Sequence, residues 1–82
     1  MPKIFTSDQL GQLLASRRKA LGLSQSEAAA RLGISQNRLS ELERQPAQLT
    51  LDRLLALAGM LGLDLDIQAK PSNPGKEEEG EW

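Results

Sequence analysis

Eighty-two residues are enough for one small domain. The sequence contains no cysteine and no histidine, which excludes a disulfide framework and a zinc site built from these residues. We also expect no other metal and no cofactor. The net charge of −1 is uneven, because residues 1–70 carry nine Lys and Arg against seven Asp and Glu, whereas residues 71–82 carry one Lys against four Glu. No segment has the pattern of a secretory signal or the roughly 18 apolar residues of a membrane span, so we expect a cytoplasmic protein.

The sequence predicts four helices, each preceded by a hydroxyl side chain and followed by Gly or Pro. A hydroxyl before a helix accepts one of its free backbone N–H groups, and Gly or Pro after it lets the chain leave the helical conformation. The predicted helices are residues 7–20, 25–32, 36–44 and 51–61. Their caps are Thr6 or Ser7, Ser24, Ser35 and Thr50, and their stops are Gly22, Gly33, Pro46 and Gly62.

Apolar residues at helical spacing predict the core. Its expected members are Leu10, Leu13, Leu14, Leu32, Ile34, Leu39, Leu42, Leu54, Leu55 and Ala58. The outer face of the third helix holds amides, a hydroxyl and two guanidinium groups instead of the usual mixture of Glu and Lys. Such a face is either a solvated surface or one that reads a ligand rich in hydrogen-bonding groups. Six basic residues against three acidic ones in residues 15–45 favour a nucleic acid.

The hydrophobic period changes after the fourth helix. Residues 63–68, LDLDIQ, alternate strictly between apolar and polar side chains, which is typical of a half-buried strand. A single strand in a helical chain leaves its N–H and C=O groups unpaired, and the simplest remedy is pairing with the same strand of a second copy across a two-fold axis. We therefore predict a homodimer with Leu63, Leu65 and Ile67 at its interface, together with part of the fourth helix. The alternatives are a fifth short helix and a loop.

The last residues differ in composition from the rest of the chain. Residues 70–82 read KPSNPGKEEEGEW, which is too polar and too rich in Pro and Gly to bury a core. We predict a DNA-binding and dimerisation domain over residues 1–69 and a disordered acidic tail over residues 70–82. Trp82 is one of only two aromatic residues, and its presence in the tail is either chance or a short docking element for another protein.

The stretch LGLSQSEAAARLGISQNRLSELER resembles the Xre/Cro/phage-repressor helix-turn-helix family. The resemblance rests on Ser-Gln at the start of the second helix, on the spacing from Ala29 to Gly33 and on the following Ile-Ser-Gln, within a match to residues 7–62. It implies an all-α, phage-repressor-like bundle of four to five helices. The one C-terminal β-strand follows this bundle and pairs across the homodimer. In this family the second helix of the motif lies in the major groove, where base edges present distinct donors and acceptors.

The whole layout is similar to that of HipB-type antitoxins, because KIFTSDQLGQLL opens the chain, an alternating strand follows the fourth helix and Glu-Trp ends the sequence. The resemblance implies a homodimer that represses its own operon and holds a HipA-type serine/threonine kinase toxin inactive. It also implies that Trp82 takes part in toxin contact and protease turnover. The alternatives are a stand-alone Xre-type regulator without a toxin and a protein-interaction module that no longer binds DNA. We expect no enzymatic activity.

The predicted DNA contacts fall into two groups. Those expected to read bases are Ser35, Gln36, Asn37 and Ser40; an amide can form a bidentate pair with adenine. Those expected to contact the backbone, which sets register without reading sequence, are Arg17, Arg18, Ser24, Gln25, Arg38 and Arg44. Ser24 and Ser35 also cap helices, and the run from Arg17 to Lys19 is alternatively a solvated face. A dimer predicts an inverted-repeat operator with half-site centres about 34–36 Å apart, or a multiple of that.

Overall fold

The computed structural model describes residues 3–70. Its elements are α1 (Ser7–Ala20), α2 (Gln25–Leu32), α3 (Gln36–Arg44), a 3₁₀ turn (Pro46–Gln48) and α4 (Leu51–Met60). The predicted bounds of the first three helices are confirmed, and α4 ends one residue earlier than predicted because Leu61 is its C-cap. Most of the predicted tail, including Trp82, lies outside the described residues.

Every helix begins at a predicted capping residue. For α1 the cap is Thr6, whose hydroxyl accepts from the Gln9 N–H at 3.2 Å while the Gln9 side chain accepts from the Thr6 N–H at 3.1 Å. The hydroxyls of Ser24, Ser35 and Thr50 accept in the same way from the N–H groups of Glu27, Arg38 and Arg53. Each such cap contributes about 1 kcal/mol to the stability of its helix, so these local signals define where the helices start.

The turn between α2 and α3 depends on Gly33. Its φ of 74° lies in the left-handed region, which glycine adopts without the steric cost that a Cβ atom brings. The N–H of Ile34 then donates back to the Ala29 carbonyl at 3.0 Å and closes the end of α2. Since Ser35 caps α3 at once, the two helices are joined by only three residues, and α3 packs against both α1 and α2.

The core lies where the four helices meet. Its buried cluster consists of Leu14 from α1, Ala28 and Ala29 from α2, Leu39 from α3, and Leu57 and Leu61 from α4 and its cap. Leu42 and Ala58 are also buried. Four further predicted core members are half-buried against this cluster: Leu10, Leu32, Ile34 and Leu54. Leu13, the remaining one on α1, is half-buried.

The prediction that Leu55 belongs to the core is wrong, because this residue is 48% exposed. The buried face of α4 passes instead through Leu54, Leu57 and Leu61. Leucines occupy several sides of α4, so helical spacing alone fits more than one choice of inward face. Packing against α2 selects the face with Leu57, and Leu51 and Leu55 are left on the surface.

Residues 63–70 carry neither helix nor strand in the structure. Leu63 is half-buried against the core, and its N–H donates to the Ala58 carbonyl at 2.8 Å. Beyond it, Leu65 and Ile67 are 47% and 87% exposed. The predicted strand is therefore not present among residues 3–70, where no other segment offers an edge with which it can pair.

α1 packs tightly against the end of α3 at Gly11, where the lack of a Cβ atom leaves room for the neighbouring backbone. A Cβ atom at this position would lie 2.5 Å from the Glu43 carbonyl oxygen and 2.9 Å from Pro46 Cγ. Overpacking costs about 1–3 kcal/mol, whereas Ala gains only about 1 kcal/mol over Gly inside a helix. We therefore expect Gly11→Ala to lower the melting temperature, measured by circular dichroism.

The matched control for this variant is Gly59→Ala in α4, where a Cβ atom would meet nothing within 4 Å. This control is expected to be at least as stable as the parent. Equal stability of the parent and of Gly11→Ala would show that α1 and α3 shift apart at little cost.

Candidate nucleic-acid interface

The first turn of α3 presents two amide side chains to solvent. Gln36 and Asn37 are both exposed, directly after the Ser35 cap. Among residues 3–70 no side-chain hydrogen bond engages either amide, since the Ser35 hydroxyl accepts from the backbone N–H of Arg38. Two amides with free donors and acceptors at the positive end of a helix dipole suit a ligand that is anionic and offers hydrogen-bonding edges.

The remainder of the α3 outer face is internally hydrogen-bonded. Arg38 Nη1 donates to Glu41 Oε1 at 3.1 Å and to Gln48 Oε1 at 3.2 Å. Arg44 Nη1 donates to the Ser40 hydroxyl at 2.6 Å. Arg38 and Arg44 are thus exposed on the helix that carries Gln36 and Asn37, but their guanidinium groups already have partners on the protein.

At the start of α2, the predicted cap Ser24 forms a capping box with Glu27. Its hydroxyl accepts from the Glu27 N–H at 3.0 Å, and its own N–H donates to Glu27 Oε1 at 2.9 Å. The hydrogen bond from the Ser24 backbone, and next that with its side chain, lower the pKa of the Glu27 carboxyl below its usual value. Glu27 is therefore ionised at neutral pH and interacts favourably with the α2 dipole.

Gln25 and Arg18 meet at a carboxylate that links three helices. Glu43 Oε2 accepts from Arg18 Nε at 2.7 Å, and Glu43 Oε1 accepts from Arg18 Nη2 at 3.1 Å and from Gln25 Nε2 at 2.9 Å. Arg18 Nη1 donates in addition to the Leu23 carbonyl at 2.9 Å. This cluster of Arg18, Gln25 and Glu43 ties α1 to the first residue of α2 and to the last turn of α3.

Burial corrects the prediction for Arg18. Its side chain and that of Glu43 are each only 8% exposed, and its guanidinium nitrogens are used inside the protein. It therefore cannot reach a phosphate, and we assign it a structural role. Arg17 is also held, because its Nε donates to the Leu61 carbonyl at 2.8 Å, which places its side chain beside the end of α4.

Glu43 is the residue of this cluster that the sequence analysis missed. Its position four residues after the buried Leu39 places it on the inward side of α3, and Arg18 likewise follows the buried Leu14 by four. Two opposite charges, each one turn beyond a core leucine, are a signal of a buried pair. That spacing was available in the sequence.

Neither a metal site nor a membrane-spanning helix is found among residues 3–70. In that range no group of three or more His, Cys, Asp or Glu side chains is arranged to hold a metal ion. No helix there is both long and apolar enough to cross a membrane. The exposed side of α3 carries two amides and two guanidinium groups, which are side chains that can bind a ligand with hydrogen-bonding groups.

Comparison with known proteins agrees with this geometry. A family model described as helix-turn-helix matches residues 14–68, a range that begins within α1 and includes the turn at Gly33 and all of α2, α3 and α4. Among solved structures, a chain of a HipB-O1-O2 complex superposes with a TM-score of 0.76 at 29% sequence identity, over 84% of this chain and 100% of that one. No curated protein matches the sequence.

Proposed function

We propose, since the chain belongs to the helix-turn-helix family of Xre type, that it is a sequence-specific transcriptional repressor of its own operon. The observation that carries the proposal is the pair of exposed amides, Gln36 and Asn37, at the start of the second helix of the motif. In helix-turn-helix proteins the N-terminal residues of this helix contact base edges in the major groove. We propose Gln36 and Asn37 as the main base readers, with Ser35 and Ser40 beside them.

The backbone contacts that we propose come from both ends of α3 and from the start of α2. Ser24 and Gln25 lie where the free N–H groups of α2 favour a phosphate. Arg38 and Arg44 supply the positive charge on α3, after exchanging partners on the protein for phosphate oxygens. Arg17 remains a weaker candidate because the Leu61 carbonyl holds its Nε.

The experiment that tests DNA binding is fluorescence anisotropy with the duplex upstream of the protein's own start codon, compared with a scrambled duplex at two salt concentrations. Tight binding to the upstream duplex alone is the expected result. Equal, weak binding to both duplexes that fades with salt would indicate only backbone attraction, and the repressor proposal would then be wrong.

We further propose that the protein acts as a homodimer. From α4 onward, the described chain exposes large apolar side chains at Leu51, Leu55, Leu65 and Ile67, from 47% to 87% exposed. Two lie on α4 and two in residues 63–70, where the alternating pattern predicts a strand. Pairing of this segment with its copy, with Leu63 at its start, would satisfy the strand edges and cover these side chains.

The dimer proposal predicts the effect of Ile67→Asp. Because Ile67 is 87% exposed in the single chain, the substitution is expected to leave the helical circular dichroism unchanged. A charge at the centre of the proposed interface is expected to give a monomer by analytical ultracentrifugation at concentrations where the parent is a dimer. Phe5→Asp, at another apolar side chain that is 72% exposed, should remain dimeric. A dimeric Ile67→Asp variant would place the interface elsewhere.

The second partner that we propose is a HipA-type serine/threonine kinase toxin, which the protein would neutralise as an antitoxin. The support is the 29% identity with a HipB chain over 84% of this sequence, with Trp82 proposed for toxin contact and turnover. Since operator DNA lies in the cytoplasm, we place the protein there, as a regulator without enzymatic activity. We expect toxin and DNA to bind together, because the face of α3 and the tail are different parts of the chain.

Co-purification with the kinase encoded beside its gene tests this part of the proposal. We expect a complex with the parent and a weaker one with Trp82→Ala, and we expect the complex to retain the upstream duplex. If no neighbouring kinase frame exists, or if the kinase does not bind, the protein is a stand-alone Xre-type regulator. If the kinase displaces the duplex, simultaneous binding is wrong.

A further inference from the structure

We propose that Glu41 is a positioning residue that restrains Arg38 and thereby weakens binding to DNA without the operator sequence. The inference rests on the proposed function and concerns the same face of α3. Arg38 Nη1 donates to Glu41 Oε1 at 3.1 Å and to Gln48 Oε1 at 3.2 Å. The two charged side chains are 46% and 52% exposed, so the pair lies in solvent on α3, the helix that we propose enters the major groove.

The restraint on Arg38 extends beyond the helix. Gln48, in the 3₁₀ turn, donates from its Nε2 to Gln45 Oε1 at 2.5 Å. Gln45 is the C-cap of α3, and its backbone N–H donates a hydrogen bond to the Glu41 carbonyl oxygen at 2.7 Å. The Arg38 guanidinium is therefore held by two partners, one on α3 and one in the 3₁₀ turn that follows it.

The electrostatic consequence concerns sequence-independent binding. An arginine that reaches a phosphate releases a counterion and strengthens binding to any duplex alike. Paired with Glu41, Arg38 must give up a carboxylate to make that contact, so the pair reduces what the contact adds to binding. Glu41 itself repels phosphates and accepts only from an amino group such as cytosine N4. Since binding to DNA without the operator sequence rests on such phosphate contacts alone, the pair weakens that binding.

The test is a double-mutant cycle of Glu41→Gln and Arg38→Ala, measured by anisotropy on the upstream duplex and on a scrambled duplex at 50 and 200 mM salt. Glu41→Gln is expected to bind the scrambled duplex more tightly than the parent does. One added phosphate contact steepens the salt slope by about 0.9, so the affinity should fall about 3.5-fold more than that of the parent between the two salts. In the Arg38→Ala background, Glu41→Gln should strengthen binding only by the loss of its own repulsion, and it should not steepen the salt slope.

Asp8→Asn is the control for net charge, because it removes the same charge from the exposed first turn of α1. It is expected to leave the salt slope on the scrambled duplex unchanged. Equal strengthening by Glu41→Gln with and without Arg38 would show simple repulsion and overturn the positioning role. Weaker binding to the upstream duplex alone would show that Glu41 reads a base, which also overturns it.

The failure of this inference is distinguishable from failure of the proposed function. If the parent binds both duplexes equally, the repressor proposal is wrong. The scrambled duplex still decides the role of Glu41 in that case, because the Arg38-dependent rise in affinity and in salt slope needs no operator.

Discussion

Replacing both Gln36 and Asn37 with alanine is expected to remove most of the protein's preference for its operator while the fold and the dimer persist. Each amide that makes a bidentate contact with a base supplies about 1–3 kcal/mol of discrimination, so the pair supplies about 2–6 kcal/mol if the two act independently. Both side chains are exposed, and alanine is a better helix former than either. The loss is therefore expected in sequence recognition and not in stability.

The measurement is the ratio of affinities for the upstream and scrambled duplexes at fixed salt. In the double variant the ratio should approach one, while the salt dependence that the arginines supply remains. Gln12→Ala is the matched control, because Gln12 is an exposed amide on α1. A double variant that binds the upstream duplex as well as the parent does would show that other residues read the bases.

The starts of the helices and the helix-turn-helix itself were predictable because short-range chemistry determines them. A hydroxyl that caps a helix and a glycine that ends one act within a few residues, so Ser24, Gly33 and Ser35 indicate their roles without tertiary information. The exposure of Gln36 and Asn37 follows from the same register, since Leu39 and Leu42 must face the core.

What was not predictable depends on contacts between distant parts of the chain. Helical spacing in α4 could not distinguish Leu55 from Leu57, because both belong to apolar stripes and only packing selects one. The predicted strand needs a second edge that residues 3–70 do not contain, so it remains a prediction about the dimer. The hydrogen bond from Arg38 to Gln48 could not be predicted either, because the two residues are ten positions apart in the sequence.

The charge run at residues 17–19 illustrates the same limit. Three consecutive basic side chains look alike in the sequence, but consecutive residues on a helix point about 100° apart, so they have different neighbours. Arg18 follows Leu14 by one turn and is buried, Arg17 reaches the Leu61 carbonyl, and Lys19 is exposed. The predicted backbone contact does not fit the burial of Arg18, whose partner, Glu43, lies 25 residues further along the chain.

Replacing Arg18 alone is expected to have the largest effect on stability. Arg18→Ala leaves the Glu43 carboxylate 8% exposed with Gln25 as its remaining side-chain partner. Removing one member of a buried ion pair costs about 3–5 kcal/mol, because the other charge stays desolvated. A small domain has about 5–15 kcal/mol in total, so we expect a much lower denaturation midpoint or an unfolded variant. Urea denaturation followed by circular dichroism measures the change.

The double variant Arg18→Met with Glu43→Leu distinguishes a lost attraction from a stranded charge. Apolar residues of similar volume can replace a buried pair at little cost, so this variant should recover most of the stability that Arg18→Ala loses. Equal losses in both variants would show that the hydrogen bonds to Leu23 and Gln25 matter more than the charge balance. Recovery of stability without recovery of DNA affinity would have a different meaning. It would show that Glu43, by holding Gln25 at the start of α2, also fixes how the two helices of the motif meet the DNA backbone.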